Sequence, residues 1–246
     1  MTIASLIEMK KLHIITPVKD SIDTTIDTIN AIVASEISIP FVYTIYNDFS
    51  TDENTARLRQ LSETTGFELI NLCDLTNHPS PNYLLTLQTA QEKALADGAD
   101  LLIVESDVEV GRLTIQQLWE GAHSMPDCGL AAAVTVDEKG KVNYPYTYAA
   151  KWEKTVIENH RHCSFCCTLL THEFLSQFDF HDLDPSNHWH DVKISHKSLK
   201  LGFKNYLFMT LPVHHRPNSS RPWKQLKHSN PLLYYWRKYT KGLDKI

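Results

Sequence analysis

Residues 101–109 read LLIVESDVE. Four apolar residues, Leu101 to Val104, run straight into Glu105, Ser106 and Asp107, with Glu109 just beyond. Glu105 and Asp107 stand one residue apart and offer hard oxygen donors, which suit Mg²⁺ or Mn²⁺. Such an ion is typically held by one or two carboxylates plus the oxygens of a phosphorylated ligand. A nucleotide diphosphate fits that requirement. The chain has no P-loop and no G-x-G-x-x-G after a strand, so metal and side chains would have to hold the phosphates. The competing role for Asp107 is a cap on the turn before Thr114.

Other residues could join this chemistry. Asp20 and the pair Asn47-Asp48 each follow an apolar run, and each could equally form an Asx turn. Asp191 opens a helical stretch, where an acid also favours the helix dipole. His214 and His215 end a late strand as metal or phosphate contacts, or as plain surface histidines. His160, His162, Cys163, Cys166 and Cys167 form a dense cluster with one C-x-x-C. A zinc site is the sharper reading of it. No second C-x-x-C follows, however, and CSFCCTLL also reads as a buried strand in which cysteine is a small hydrophobe. Tyr144, Tyr146, Tyr148 and Trp152 could stack on a sugar ring or close a core.

The elements that must position these groups alternate. LHIITPV (Leu12–Val18) is a strand, and Ile22, Ile26, Ile29 and Val33 share a helical face after it. FVYTIY (Phe41–Tyr46) is a second strand, rich in β-branched and aromatic residues. Ser50 to Glu53 reads as a capping box, and Gly66 ends the helix it opens. FELINL (Phe67–Leu72) is a third strand. Pro81 opens a helix that Gly98 closes, and LLIV follows. Further strands are expected at Gly129–Val136, Cys163–Leu170 and Phe203–Leu211, with Thr171 capping a short helix and a longer one from His190 to Leu201. The alternation argues an α/β domain with a mostly parallel sheet flanked by helices. Ligands of such sheets sit at the carboxyl ends of the strands, which is where Asp20, Asn47, Asp48, Glu105 and Asp107 fall.

The 246 residues carry a net charge of -5 and are 42% hydrophobic, the composition of a globular chain that needs no disulfide or metal to fold. No apolar run approaches a membrane span, so a cytoplasmic protein with reduced thiols is expected. The charge is uneven. Residues 197–246 hold 11 Lys+Arg and one acid, Asp244, which leaves 13 basic and 28 acidic residues in 1–196. The basic end suggests an anionic contact, phosphate or lipid headgroup, or is simply solvated, and LLYYWRKYTK (Leu232–Lys241) sets aromatics beside cations as interfacial membrane helices do, or as a helix packed on the domain with Lys and Arg outside does.

Taken in order, LHIITPVKD, FVYTIYNDFSTDEN and ADLLIVESDVEV resemble the glycosyltransferases of the GT-A fold, and family 2 most. There a strand of the type IIIPVYN opens the chain, VDDGSTD follows the second strand and D-x-D follows the fourth. HWHDVKISHKSLKLGFKNYL resembles the family's E-D-x-D-L-x-x-R segment, and VHHRPNSS its closing histidine motif. The resemblance implies a single Rossmann-like GT-A domain over 1–246: a nucleotide-binding half at 12–110, an acceptor-binding half at 111–229 and a basic aromatic tail at 230–246. It implies a metal-dependent, inverting transfer from a nucleotide-sugar, a UDP-sugar above all, to a glycan or lipid-linked saccharide in polysaccharide biosynthesis. No nucleic-acid partner is expected. Pro17, Val18 and Asp20 would line the nucleoside pocket, and Asp48 would bond the base with Asn47 beside it. Asp107 and Glu105 would hold Mn²⁺ or Mg²⁺ on the diphosphate next to Ser106. Asp191 would be the general base, and His214 or His215 would reach the metal. Glu105, Asn47, Phe49, His190 and Lys193 depart from the family pattern. Two other readings compete: a non-catalytic nucleotide- or glycan-binding module, and a sugar nucleotidyltransferase, which would need a Gly- and Arg-rich loop where TPVKDSID stands.

Overall fold

The computed structural model describes residues 11–186, 188–216 and 230–240. The chain forms two compact units, Met1–His215 and Arg216–Ile246.

The first unit is built on one mixed sheet. Its strands are β1 (Lys11–Val18), β2 (Phe41–Asn47), β3 (Glu68–Asn71), β4 (Ala99–Val104), β5 (Val108–Glu109), β6 (Cys128–Val136), β7 (Val156–Glu158), β8 (Cys167–Leu170) and β9 (Lys204–His215). They lie in the order β3-β2-β1-β4-β8-β6-β9-β5, with β7 also on β9. The first four run parallel, as the strand–helix alternation requires. β8 is antiparallel to both β4 and β6, while β6 and β9 are parallel.

The apolar run of β4 reflects burial on both faces. Leu102 and Val104 enter one core, and Leu101 and Ile103 the other. All four are fully buried, worth about 1.5–3 kcal/mol each against exposure.

Among the described residues, six helices of this unit cover the sheet: α1 (Ile22–Val33), α2 (Asp52–Thr65), α3 (Tyr83–Ala96), α4 (Thr114–Ser124), α5 (His172–Leu175) and α6 (His190–Lys200). The face of α1 is rotated from expectation. Ile32 is buried and Val33 exposed, with Thr25 and Thr28 filling the inner stripe. The capping box at Ser50 is displaced by one residue. Thr51 caps α2 by accepting the Asn54 N–H, because the Ser50 hydroxyl already accepts the Asp20 N–H at 2.8 Å. Pro81 lies before the cap of α3 rather than inside its first turn, and the cap is Asn82. The strand expected from Cys163 starts only at Cys167. Upstream of it the Ser164 N–H binds the Tyr146 hydroxyl and the Ser164 carbonyl accepts from Thr168, so side chains take the bonds a ladder would need.

β9 runs unbroken into His214 and His215. Ala133 pairs with Phe208 but Val134 with Pro212, so Met209, Thr210 and Leu211 are extra to the ladder. A bulge also tolerates Pro212, which has no N–H to donate.

In the second unit, α7 (Pro231–Thr240) exposes Leu232, Tyr235 and Trp236. The rest of the basic C-terminal segment, residues 217–229 and 241–246, lies outside the described residues, as do Pro217 to Ser220 of the histidine motif. No helix among the described residues is long and apolar enough to cross a membrane.

Candidate functional site

The carboxyl edge of the sheet holds two separate arrangements. The first spans the ends of β1 and β2. Asp20 and Ser21 both adopt left-handed backbone, with φ 53° and 51°. One oxygen of Asp20 accepts the Thr51 N–H at 2.9 Å and the Asn54 amide at 3.0 Å, and Lys19 lies 3.5 Å from the other. Burial works against its charge. The Thr51 amide, Asn54 and Lys19 outweigh it and hold the carboxyl below the usual range. Asn47 is buried and bonds Thr55, Asn71 and the Ser50 N–H. Asp48 accepts the Ser80 hydroxyl at 2.7 Å, the Asn82 N–H at 2.9 Å and the Asn82 amide at 2.8 Å. These polar groups are therefore spent on one another, joining the β1–α1 and β2–α2 loops to the start of α3. Phe49 stands where the related motif has Gly and keeps the geometry a Gly would take, φ 56°. Pro17 pairs with Tyr46 inside the sheet, and Val18 is buried in the core.

The second arrangement follows β4. Val104 pairs with Cys167, and one step further the Glu105 N–H bonds the Cys166 carbonyl at 3.0 Å. Glu105 and Cys166 are thus cross-strand neighbours. A tight turn through Ser106 and Asp107, closed by Val108 N–H to the Glu105 carbonyl, leads into β5. β5 then pairs Val108 with His215 and Glu109 with His214.

Strand alternation separates the two histidines. His214 turns toward Glu109, 3.6 Å away. His215 turns toward the carboxylates. Its Nε2 lies 3.7 Å from Asp107 Oδ1 and 3.9 Å from Cys166 Sγ, and that sulfur lies 3.4 Å from Glu105 Oε2. Single donor atoms of Glu105, Cys166 and His215 all lie within 4.8 Å of one another.

The tautomer of a neutral His215 follows from its other nitrogen. Nδ1 is 2.9 Å from the Tyr144 carbonyl, which can only accept, so Nδ1 carries the proton and Nε2 presents a lone pair. Thr135 donates to the same carbonyl at 3.1 Å, and the Asn143 amide donates to the His215 carbonyl. A histidine oriented by a carbonyl behind it is the usual arrangement of a metal ligand. The donor set, one imidazole nitrogen with carboxylate oxygens and a thiol, fits a divalent cation. Burial first, then the charge of Glu105, pushes the Cys166 thiol well up in the metal-free state.

Asp191 sits in the first turn of α6 and its Oδ1 accepts the Val192 N–H at 2.9 Å. One turn on, on the same face, the Ser195 hydroxyl accepts the Cys163 N–H at 2.9 Å. Asp191 thus flanks the 163–166 turn that delivers Cys166. His190, beside it, is buried and stacks on Tyr83.

Of the Cys/His-rich stretch, Cys166 alone joins the converging donors among the described residues. Cys163 and Cys167 pack in the cores, and His160 is exposed beside Glu158. The aromatic stretch divides as well: Tyr146 is core, while Tyr144 and Trp152 face solvent.

No protein-family model and no curated protein matches the sequence. Solved structures do. GalNAc-T7 with UDP, GalNAc and Mn²⁺ superposes at a TM-score of 0.62 and 12% identity, covering 84% of this chain and 44% of that one. A mannosyltransferase from Pyrobaculum calidifontis with GDP-Man and Mn²⁺ gives 0.61 and 12%, covering 94% and 64%. TarS of S. aureus gives 0.58 and 15%, covering 81% and 57%. The fold is GT-A. This GT-A chain spans between 44% and 64% of the length of those three chains. Its convergent donors stand at the sheet edge where open α/β folds bind ligands.

Proposed function

We propose that this GT-A chain is a glycosyltransferase that moves a sugar from a nucleotide-sugar to an acceptor hydroxyl. The observation that carries the reading is the convergence of Glu105 and the His215 Nε2 lone pair at the carboxyl edge of this sheet, with Asp107 Oδ1 3.7 Å from that nitrogen. Glu105 and His215 would hold a divalent cation from the buried side and Asp107 from the open side. When bound, that cation neutralises charge developing on the departing diphosphate. Val18, Pro17 and the loop pinned by Asp20 and Asp48 would wall the nucleoside. Asp191 would take the proton of the acceptor hydroxyl, and direct in-line attack would invert the anomeric centre.

The three neighbours support the reaction class. Two carry Mn²⁺ with UDP or GDP-Man, so UDP- and GDP-sugars are the donors to try first. Tyr144 and Trp152 are exposed aromatic faces suited to a sugar ring. The acceptor would be a glycan or a lipid-linked saccharide, with the exposed Leu232, Tyr235 and Trp236 of α7 as a peripheral membrane contact.

The test is calorimetric titration of UDP and GDP into wild type and Asp107→Ala, with Mn²⁺ and with EDTA. Metal-dependent binding that disappears in the variant supports the site. Binding with no turnover of any donor would favour a binding module, and no binding of either nucleotide would refute the assignment.

A further inference from the structure

A site for a hard cation has no use for a thiol, yet Cys166 Sγ faces the same point as Glu105 and His215. We propose that Cys166 is a direct metal ligand, giving a Cys-His-carboxylate centre that takes a borderline-soft ion such as Zn²⁺ or Co²⁺ in preference to Mg²⁺. The proposal rests on the metal reading of the site above and names the class of ion.

The backbone makes the placement. The β4–β8 register carries Cys166 opposite Glu105, and the β5–β9 register carries His215 to the same spot. The third donor is aimed from behind, since the Tyr144 carbonyl fixes the His215 tautomer.

Distances agree with one shared ion. Donors at about 2.3 Å for sulfur and 2.0–2.1 Å for nitrogen or oxygen from a tetrahedral centre lie roughly 3.5 Å from each other. The Sγ–Oε2 and Sγ–Nε2 separations are 3.4 and 3.9 Å. Asp107 Oδ1 lies 3.7 Å from Nε2 but outside the set of three donors that share the point.

The polar surroundings, not burial, separate this thiol from its neighbours. All three cysteines are buried in the apolar clusters, and the Cys163 sulfur meets the Asn159 amide and the Tyr206 carbonyl, each at 3.9 Å. The Cys166 sulfur lies against a carboxylate and an imidazole, those of Glu105 and His215, and the Ser164 hydroxyl.

Ion choice follows from coordination chemistry. Mg²⁺ demands octahedral oxygen at about 2.0–2.1 Å and keeps several waters, which a buried sulfur obstructs. Thiolate favours Zn²⁺, and a coordinating thiol gives up its proton. As the sulfur–metal bond forms, that proton leaves to solvent. The thiolate and the Glu105 carboxylate then balance the dication, with a neutral imidazole as third ligand.

The experiment is a Co²⁺ titration of the metal-free full chain, read by absorbance. Thiolate ligation gives a near-ultraviolet sulfur-to-cobalt charge-transfer band and intense visible bands at one equivalent. The band should vanish in Cys166→Ser and persist in Cys167→Ala. Zn²⁺ should bleach it stoichiometrically, while a large excess of Mg²⁺ should leave it. Zn²⁺ affinity should fall in Cys166→Ser by more than the roughly 10–100-fold typical of losing a ligand's supporting partner. X-ray absorption on the Zn²⁺-loaded wild type needs no variant and should show one sulfur at about 2.3 Å. Two outcomes overturn the proposal and are told apart. Co²⁺ bound without a charge-transfer band, and lost in His215→Ala, removes Cys166 but leaves the metal site standing. Failure of Co²⁺, Zn²⁺ and Mn²⁺ alike to bind removes the metal site itself.

Discussion

Replacing Asp48 separates a base-reading role from a structural one. The resemblance makes this carboxylate a nucleotide contact, but its oxygens accept from Ser80 and twice from Asn82. In Asp48→Ala the donors fare differently. Ser80 is part-buried and its hydroxyl can turn to water. The Asn82 amide keeps the His78 carbonyl at 3.0 Å. The Asn82 N–H has no such substitute, and Asn82 is only 7% exposed. An orphaned buried donor costs about 1–3 kcal/mol, and each bond to a charged acceptor about 1.5–3. With the Ser80 hydroxyl and the Asn82 amide re-bonded, the orphaned N–H dominates, for a loss of about 3 kcal/mol, or roughly 6–12 °C in Tm for a domain of this size. Asp48→Asn keeps one acceptor oxygen and should cost about half as much. Urea unfolding monitored by tryptophan fluorescence measures both, with an unchanged slope showing that the comparison is sound. If Asp48→Ala unfolds within about 0.5 kcal/mol of wild type and has lost nucleotide binding, the structural argument is wrong.

Three other expectations can be checked on the same preparations. Burial, and then His188, depresses the pKa of His190 against the opposing pull of Asp184. A depressed folded pKa means the unfolded chain binds the extra proton, so stability is complete above about pH 6.5 and falls as pH drops toward 5. His190→Phe keeps the stack on Tyr83 but cannot titrate, so urea midpoints between pH 7 and 5 should fall less steeply, and an unaltered slope would count against it. Thr135→Val frees one lone pair of the Tyr144 carbonyl that orients His215, so Mn²⁺ or Zn²⁺ affinity measured by calorimetry should drop about 10-fold or more; equal affinity would show that the carbonyl needs no such support. At Phe49, φ 56° strains any side chain by about 1–2 kcal/mol. Phe49→Gly should therefore be more stable than Phe49→Ala by about 1 kcal/mol, the reverse of the usual order, and Ala coming out ahead would deny the strain.

Local signals made much of this fold readable. β1, β2 and β4 announce themselves as apolar or β-branched runs, and Gly66 stops α2 with φ 80°. The carboxylates after β4 read as candidate metal donors because they stand one residue apart in sequence. Cys166 does not read with them, since it meets Glu105 across 61 residues through an antiparallel pairing that no periodicity displays. The strands β5 and β7 are two and three residues long and exist only through β9. α4 carries an apolar stripe in Ile115, Leu118 and Ala122, but Leu113 at its N-cap supplies no side-chain bond to mark the start. The shifted cap at Thr51 has the same origin: Ser50 reads as a cap until the Asp20 N–H, in the loop after β1, claims its hydroxyl oxygen.

The acids at the sheet edge therefore divide by what surrounds them rather than by type. Asp20, Asn47 and Asp48 face backbone amides and other side-chain donors, which bond to their oxygens. Glu105 and Asp107 lie in the turn after β4, where Glu105 Oε2 is 3.4 Å from the Cys166 sulfur and Asp107 Oδ1 is 3.7 Å from a histidine nitrogen that carries no proton when the ring is neutral. A carboxylate held by backbone and side-chain amides builds a loop, and one beside an imidazole lone pair and a thiol offers a place for a cation. By that criterion the β1–β2 end of the edge offers backbone shape, held in left-handed turns at Asp20, Ser21 and Phe49, and the β4 end offers charge.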